Sequence, residues 1–278
     1  MTANVVVSYG GGVNSVALCV WLAQNSYANA VRAIVMADPG SEHQETLVYR
    51  DVVMPDFLRA HGLPQITVVD RVTEGAHRPR AWRLETLEEE CLRIGSIPSI
   101  AYGYKKCSGK YKAEPQRWWL ERQPWAQELW SRGEKVTRTI GYDAGEERRV
   151  TKALAVDWGS TQERERFAYW YPLYAAGVDR DGCETLIARA GLPAVPKSAC
   201  TFCPNNKLEE WEALRRDEPA AFARAVAMSR AAKIDSPDVV GLMRCNPKGK
   251  RQLHVWADGG YDGALGGRED DQPCECAL

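Results

Sequence analysis

The chain has 278 residues, with 36 basic against 37 acidic side chains, and 45% of it is hydrophobic. That balance excludes wholesale disorder and a global basic field, so any nucleic-acid partner has to be held by a local patch. No apolar stretch approaches the ~20 residues that cross a bilayer, and no basic-then-apolar leader opens the chain; a cytoplasmic protein without membrane attachment is expected.

At roughly 100–200 residues per domain, the length suits one large domain with a smaller appendage. The β-branched run 4–8 ends at a glycine triplet and reads as a buried strand. From 15 to 25 the apolar residues Val16, Leu18, Cys19, Leu22 and Ala23 recur at helical spacing. Segment 32–37 is a second strand, followed by a Pro-Gly turn and a helix over 42–61. Further strands are expected at 65–70, 136–141 and 167–173. Apolar strands separated by helical stretches mean βαβ units and a parallel sheet. Past 175 the pattern turns helical, over 183–190, 207–216 and 219–233, with Asp181 and Asn205 or Asn206 as N-caps. From about 237 no periodicity remains. The expected fold is α/β: a doubly wound, mostly parallel five-stranded sheet over 1–175, a helical cysteine-containing part over 176–236, and an irregular tail over 237–278.

The most informative segment is Ser8-Tyr9-Gly10-Gly11-Gly12-Val13-Asn14-Ser15, between the first strand and first helix. Glycines let successive backbone N–H groups approach an anion, the helix N-terminus adds partial positive charge, and Ser15 can add a hydroxyl donor. The alternative is a merely tight strand-to-helix turn. The spacing is neither G-x-x-x-x-G-K-[ST] nor G-x-G-x-x-G, which argues against a P-loop kinase or a dinucleotide fold.

Gly10 to Ser15 resembles the S-G-G-x-D-S loop of the PP-loop ATP pyrophosphatases, with Gly10 in place of the first serine and Asn14 in place of the aspartate. That resemblance implies an adenine nucleotide alpha hydrolase-like fold and ATP bound with Mg²⁺. The segment Ala37-Asp38-Pro39-Gly40-Ser41-Glu42 leading to Glu45-Thr46 is similar to the D-T-G…E-T element of the phosphoadenosine phosphosulfate reductase branch. Gly141-Tyr142-Asp143-Ala144-Gly145-Glu146-Glu147-Arg148 is similar to its later G-x-x-x-x-E-x-x-R element. The resemblance assigns Ser8, residues 10–15, Asp38, Gly141 and Lys112 to nucleotide binding, and Asn14, Ser15 and Arg148 to catalysis. Read alone, Asp38 could cap a helix and Arg148 or Arg149 could form a surface ion pair.

Nine cysteines in a protein expected in a reducing compartment point to metal, cluster or thiol chemistry rather than disulfides. Cys19 and Cys91 lie in helical runs and read as plain thiols. Cys200-Thr201-Phe202-Cys203-Pro204 is a C-x-x-C that alone could be a redox dithiol, a zinc half-site or coincidence. Cys107 to Pro115 is similar to the C-C-x-x-R-K-x-x-P segment of adenylylsulfate reductases, with Ser108 at the second cysteine. The resemblance implies a [4Fe–4S] cluster on Cys107, Cys200 and Cys203, which leaves one iron open unless Cys183 closes the site as a fourth ligand; structural zinc on these three and Cys183, or no metal at all, are the alternatives. Glu275-Cys276 resembles the nucleophile-bearing tail of the sulfonucleotide reductases, without its glycine and histidine, and Cys274 lies beside it; an inert tail is the alternative, and the bland one.

Lys105, Lys106, Lys110, Lys112, Arg117 and Arg122 interleave with Tyr102, Tyr104, Tyr111, Trp118 and Trp119, and Arg244, Lys248, Lys250 and Arg251 form a second basic group. Aromatics amid cations suit a nucleotide or single-stranded DNA or RNA; an ordinary helix with a solvated basic face is the alternative. The resemblance to DNA phosphorothioation enzymes of this branch implies adenylylation of an acceptor with release of pyrophosphate, then sulfur or nitrogen insertion. A cysteine desulfurase would then be a fitting sulfur donor, in a bacterial or phage setting. The rivals are a sulfonucleotide reductase using Cys276 and a thioredoxin-like partner, and a nucleotide-binding regulatory or defence module without turnover.

Overall fold

The computed structural model describes residues 4–78, 83–98, 106–155, 161–232, 241–243 and 252–259. Its centre is a five-stranded sheet of β1 (Val5–Tyr9), β2 (Val31–Ala37), β3 (Ile66–Val69), β4 (Val136–Ile140) and β5 (Phe167–Trp170). The order is β3-β2-β1-β4-β5 and every pairing is parallel. Such a sheet needs both faces covered, which is why its central strands are near-continuous apolar runs. Val7, Tyr9, Ile34 and Met36 face one core. Val6, Ala33, Val35 and Ala37 face another, the period of two along a strand dividing them.

The first core is closed by α1 (Val13–Gln24), which is buried almost all round because it lies between the sheet and α11 (Arg180–Arg189). Between β2 and β3 run α2 (Gln44–Val48), a π turn (Tyr49–Val53) and α3 (Met54–Ala60), one continuous helical path where a single helix was expected. After β3 come α4 (Arg71–Gly75), N-capped by Asp70, and α5 (Leu87–Ile94), opened by a Thr86/Glu89 capping box. A second π turn (Gly109–Ala113) leads into α6 (Glu114–Glu121) and α7 (Pro124–Ser131), whose Leu120, Ala126 and Leu129 cover the second face. Past β4 come α8 (Glu147–Ala155) and α9 (Thr161–Arg166); β5 stops at Trp170, and Pro172 opens α10 (Pro172–Ala175).

The C-terminal part builds a separate core. α12 (Leu208–Asp217) and α13 (Pro219–Ala231) bring Trp211, Leu214, Phe222 and Met228 against Leu87, Cys91, Tyr111, Cys200 and Phe202. Two expected caps differ. Asp179 rather than Asp181 caps α11, accepting from the Gly182 N–H at 2.8 Å. α12 begins behind Lys207, and Asn206 is drawn into the preceding turn by its N–H bond to the Cys203 carbonyl at 3.0 Å. The tail, expected to be irregular, contains α14 (Leu253–Ala257). Leu242, Met243 and Leu253 are fully buried in the C-terminal core. Isolated apolar residues among glycines and charges carry no period, yet they fill that core.

Leu253→Ala is therefore expected to lower unfolding free energy by about 2–5 kcal/mol, the usual range for a buried leucine. Urea titration of the full chain checks this; a shift under about 0.5 kcal/mol, the size of ordinary surface substitutions, would show that α14 does not dock.

Candidate nucleotide site

The glycine turn leaves β1 and enters α1 with an extended N-cap at Gly12. Gly11 has φ +80°, and a Cβ there would fall 2.7 Å from the Thr46 methyl, so both conformation and space require glycine. The Gly12 carbonyl accepts the Ser15 and Val16 N–H groups at 3.0 and 3.1 Å and the Ser15 hydroxyl at 2.8 Å. Ser15 thus directs its proton into its own helix, where the sequence suggested a donor to ligand. The first N–H groups of α1 have no intrahelical acceptor, which leaves the Val13 and Asn14 amides, with the helix end's partial positive charge, facing the turn. The Val13 side chain itself packs into the first core. Ser8 lies apart from this cradle: it is buried in β1, its hydroxyl 3.4 Å from Arg138 Nη2.

Strand order reverses between β1 and β4, so the loops after these two strands diverge and leave the crevice where open α/β sheets bind ligands. Gly141, just past β4, makes the two loops meet: a Cβ there would lie 2.5 Å from the Asn14 carbonyl oxygen. The Asn14 amide nitrogen donates to Asp143 and Glu146, each at 2.9 Å, and its oxygen accepts from Arg180 at 3.3 Å. Asp143 and Glu146 are themselves fixed by a capping box around the 3-10 turn Ala144–Glu146. Arg149 pairs with Glu146 and lies over the Tyr142 ring at 4.6 Å. Arg148, expected to act here, is exposed. Asp38, beyond β2, accepts the Gly40 N–H at 2.7 Å and holds the turn that follows. Lys112 is nine-tenths buried on the second π turn.

The thiol-bearing segment lies directly on this cradle. Glu42 and Cys200 form an antiparallel bridge, supported by His43 N–H to Ala199 carbonyl (3.2 Å) and Thr201 N–H to Ser41 carbonyl (2.8 Å). Cys203 N–H donates to the Cys200 carbonyl at 2.9 Å, closing the C-x-x-C turn. Cys200 and Cys91 belong to the C-terminal core, and Cys107 packs against it. Cys183 is elsewhere, in the first core beside α1, where burial pushes its thiol up to about 12, the charge of Asp143 adding to the rise and that of Arg180 opposing it. The structure therefore joins Cys107 and Cys200 in one core and leaves Cys183 outside it. Among the described residues no three His, Cys, Asp or Glu side chains form a metal-holding group. Cys274 and Cys276 lie outside the described residues.

The basic cluster is largely neutralised. Lys110 pairs with Glu90, Arg122 with Glu74 at 2.5 Å, and Arg117 lies 3.8 Å from Glu163 and 4.0 Å from Glu121. Tyr111 and Trp118 are core residues, with Arg71 over both rings. Tyr102, Tyr104, Lys105, the Lys106 side chain, Arg244, Lys248, Lys250 and Arg251 lie outside what the structure describes. Thr46, which falls in the segment similar to the E-T element, closes over Gly11; Ser198, Arg149 and Arg180 border the cradle without having been expected there. Of these only Arg149 had a sequence signal, through its i+3 spacing from Glu146.

Asn14→Asp is expected to set a third carboxylate against Asp143 and Glu146 and to destabilise the fold at pH 7. The introduced carboxyl, flanked by like charges, keeps its proton to a higher pH than an exposed aspartate. The gap to the natural protein should therefore shrink as pH falls from 7 towards 4, where that proton is bound. Thermal midpoints of both proteins across this range check the sign; a gap that widens in acid would contradict the arrangement. Gly141→Ala should lower stability by about 1–3 kcal/mol, the range for overpacking, measured by urea titration. No family model matches the chain, and no curated protein matches it in sequence.

Proposed function

We propose that the chain is a PP-loop-type ATP pyrophosphatase that adenylylates an acceptor for sulfur or nitrogen insertion. The observation that carries this reading is the glycine turn at the strand-order reversal, with the thiol-bearing segment laid across it. ATP would enter with Mg²⁺ on its phosphates, as that ion usually does. The amides at the start of α1 would hold the pyrophosphate, with the adenosine towards Asp38 and Gly141. An acceptor oxygen attacks the α-phosphorus, the bond to the bridging oxygen breaks, and pyrophosphate leaves with that electron pair. A sulfur or nitrogen nucleophile then displaces AMP from the activated acceptor. Fixed amide dipoles need no reorganisation as charge develops on the leaving group, which makes them effective in the first step.

The soft donor set of Cys107, Cys200 and Cys203 suits a [4Fe–4S] cluster, which would bind a sulfide or substrate on its open iron, or zinc as a structural ion. In the arrangement described those sulfurs form no such group, and no step of the reaction is assigned to one. DNA or RNA is the acceptor class we assign.

A second reading, a nucleotide-binding module without turnover, is favoured by Asn14. Its amide is taken up between Asp143 and Glu146, and it brings no charge of its own to a cation. Pyrophosphate release from ATP and Mg²⁺, with sulfide and single-stranded or duplex nucleic acid present, separates the two. The expected result is acceptor-dependent release, reduced about 10²–10³-fold in Gly11→Val, the size of effect seen when an oxyanion donor is lost. ATP binding with no release under any acceptor would establish the second reading. Anaerobic purification with elemental analysis and a visible spectrum tests the thiol centre separately.

A further inference from the structure

The glycine turn and the stretch leading into the thiol pair are far apart in sequence, yet three sets of contacts lace them together. Ser198 Oγ donates to the Gly10 carbonyl at 2.5 Å and stands 2.9 Å from Glu42 Oε1. Thr46 Oγ1 donates to the Lys197 carbonyl at 3.2 Å while its methyl closes over Gly11. The backbone bonds of Ser41 and His43 then pin residues 199 and 201. One short segment thus touches the cradle at residue 198 and carries thiols at 200 and 203.

The Gly10 carbonyl and the Gly11 N–H belong to the same planar peptide unit. An anion that accepts from the Gly11 N–H polarises that unit and makes its oxygen a better acceptor, because hydrogen bonds in series strengthen one another. The bond it strengthens is the one from Ser198. We infer that Ser198 is a positioning residue through which occupation of the cradle and the reactivity of Cys200 and Cys203 are coupled. The inference rests on the cradle binding the phosphates of a nucleotide. The coupling works in both directions: if occupation of the cradle changes how the thiol segment is held, a modification that displaces that segment changes nucleotide affinity.

The test labels the full chain with iodoacetamide, with and without ATP and Mg²⁺, and reads each cysteine by peptide mass. Cys19, buried in the first core, serves as internal reference. Calorimetry on the same samples reports ATP binding. In the natural protein ATP is expected to slow labelling of Cys200 and Cys203 at least fivefold and leave Cys19 unchanged. Prior alkylation of the pair should weaken ATP binding in the same calorimetry. Ser198→Ala should still bind ATP but lose the protection to within twofold, and Ser198→Thr, which keeps the hydroxyl, should restore it. A natural protein that binds ATP yet labels equally with and without it overturns the coupling, as does full protection in Ser198→Ala. Loss of ATP binding in Ser198→Ala would make the residue part of the binding site itself and also overturn it. A natural protein that binds no ATP at all overturns the nucleotide reading, and the coupling with it.

Discussion

The site depends on the closeness with which the loop after β4 approaches the first turn of α1. Parallel strands of opposite winding send their loops apart, so the crevice between β1 and β4 would be an open gap without something to close it. Two features do so. Gly141 has no side chain where one would strike the Asn14 carbonyl, and the Asn14 amide spans the gap to Asp143 and Glu146. The first permits the approach and the second fixes it. The orientation of the helix-terminal amides follows, because Asn14 belongs to the same turn of α1 that carries them.

The C-terminal part bears on the same place from the other side. Its core draws on residues from α5, the second π turn, α12, α13 and α14, elements spread over more than half of the chain. A core assembled from so many short pieces has little stability in any one of them, since helices of this length are marginal alone. What it achieves is placement: Cys200 and Phe202 are anchored in it, and the residues just before them lie on the glycine turn. Loss of a distant contact such as Leu253 therefore bears on the thiol segment through packing rather than through any direct contact with the cradle.

The sheet was legible because central parallel strands are apolar on both faces, and a run such as Val5-Val6-Val7 cannot be satisfied on a surface. The glycine turn was legible because backbone freedom has few substitutes. What lay beyond reach was pairing across long sequence distances. The cations around Cys107 read as a free basic face, but their acids Glu74, Glu90 and Glu163 lie 20 to 48 residues away in sequence, and only the fold brings them together. Cys183 departs from expectation for the same reason, whereas Cys91 is the core thiol expected. Spacing alone could not show that α11 turns its thiol into the first core while Cys107 and Cys200 meet at the C-terminal one. Ser198 gave no signal: a lone serine 188 positions from Gly10 has no distinguishing local chemistry.

Asn14 also bears on how the crevice attracts an anion. Two unit charges about 4 Å apart at a protein surface interact by roughly 4 kcal/mol at an effective dielectric of 20. An aspartate at position 14 would meet such repulsion from both Asp143 and Glu146, only partly offset by Arg149 and Arg180. With asparagine, two carboxylates face two guanidiniums, and the amide supplies the hydrogen bonds that the acids require. Arg180 also pairs with Glu184 at 3.1 Å, so no net positive charge gathers there. Directed attraction on a polyphosphate comes from the amides and the end of α1, whose influence dies away within about one turn. A cradle of that kind recognises shape and hydrogen-bond geometry more than charge, and so suits a phosphate chain that arrives already partly neutralised by its own cation.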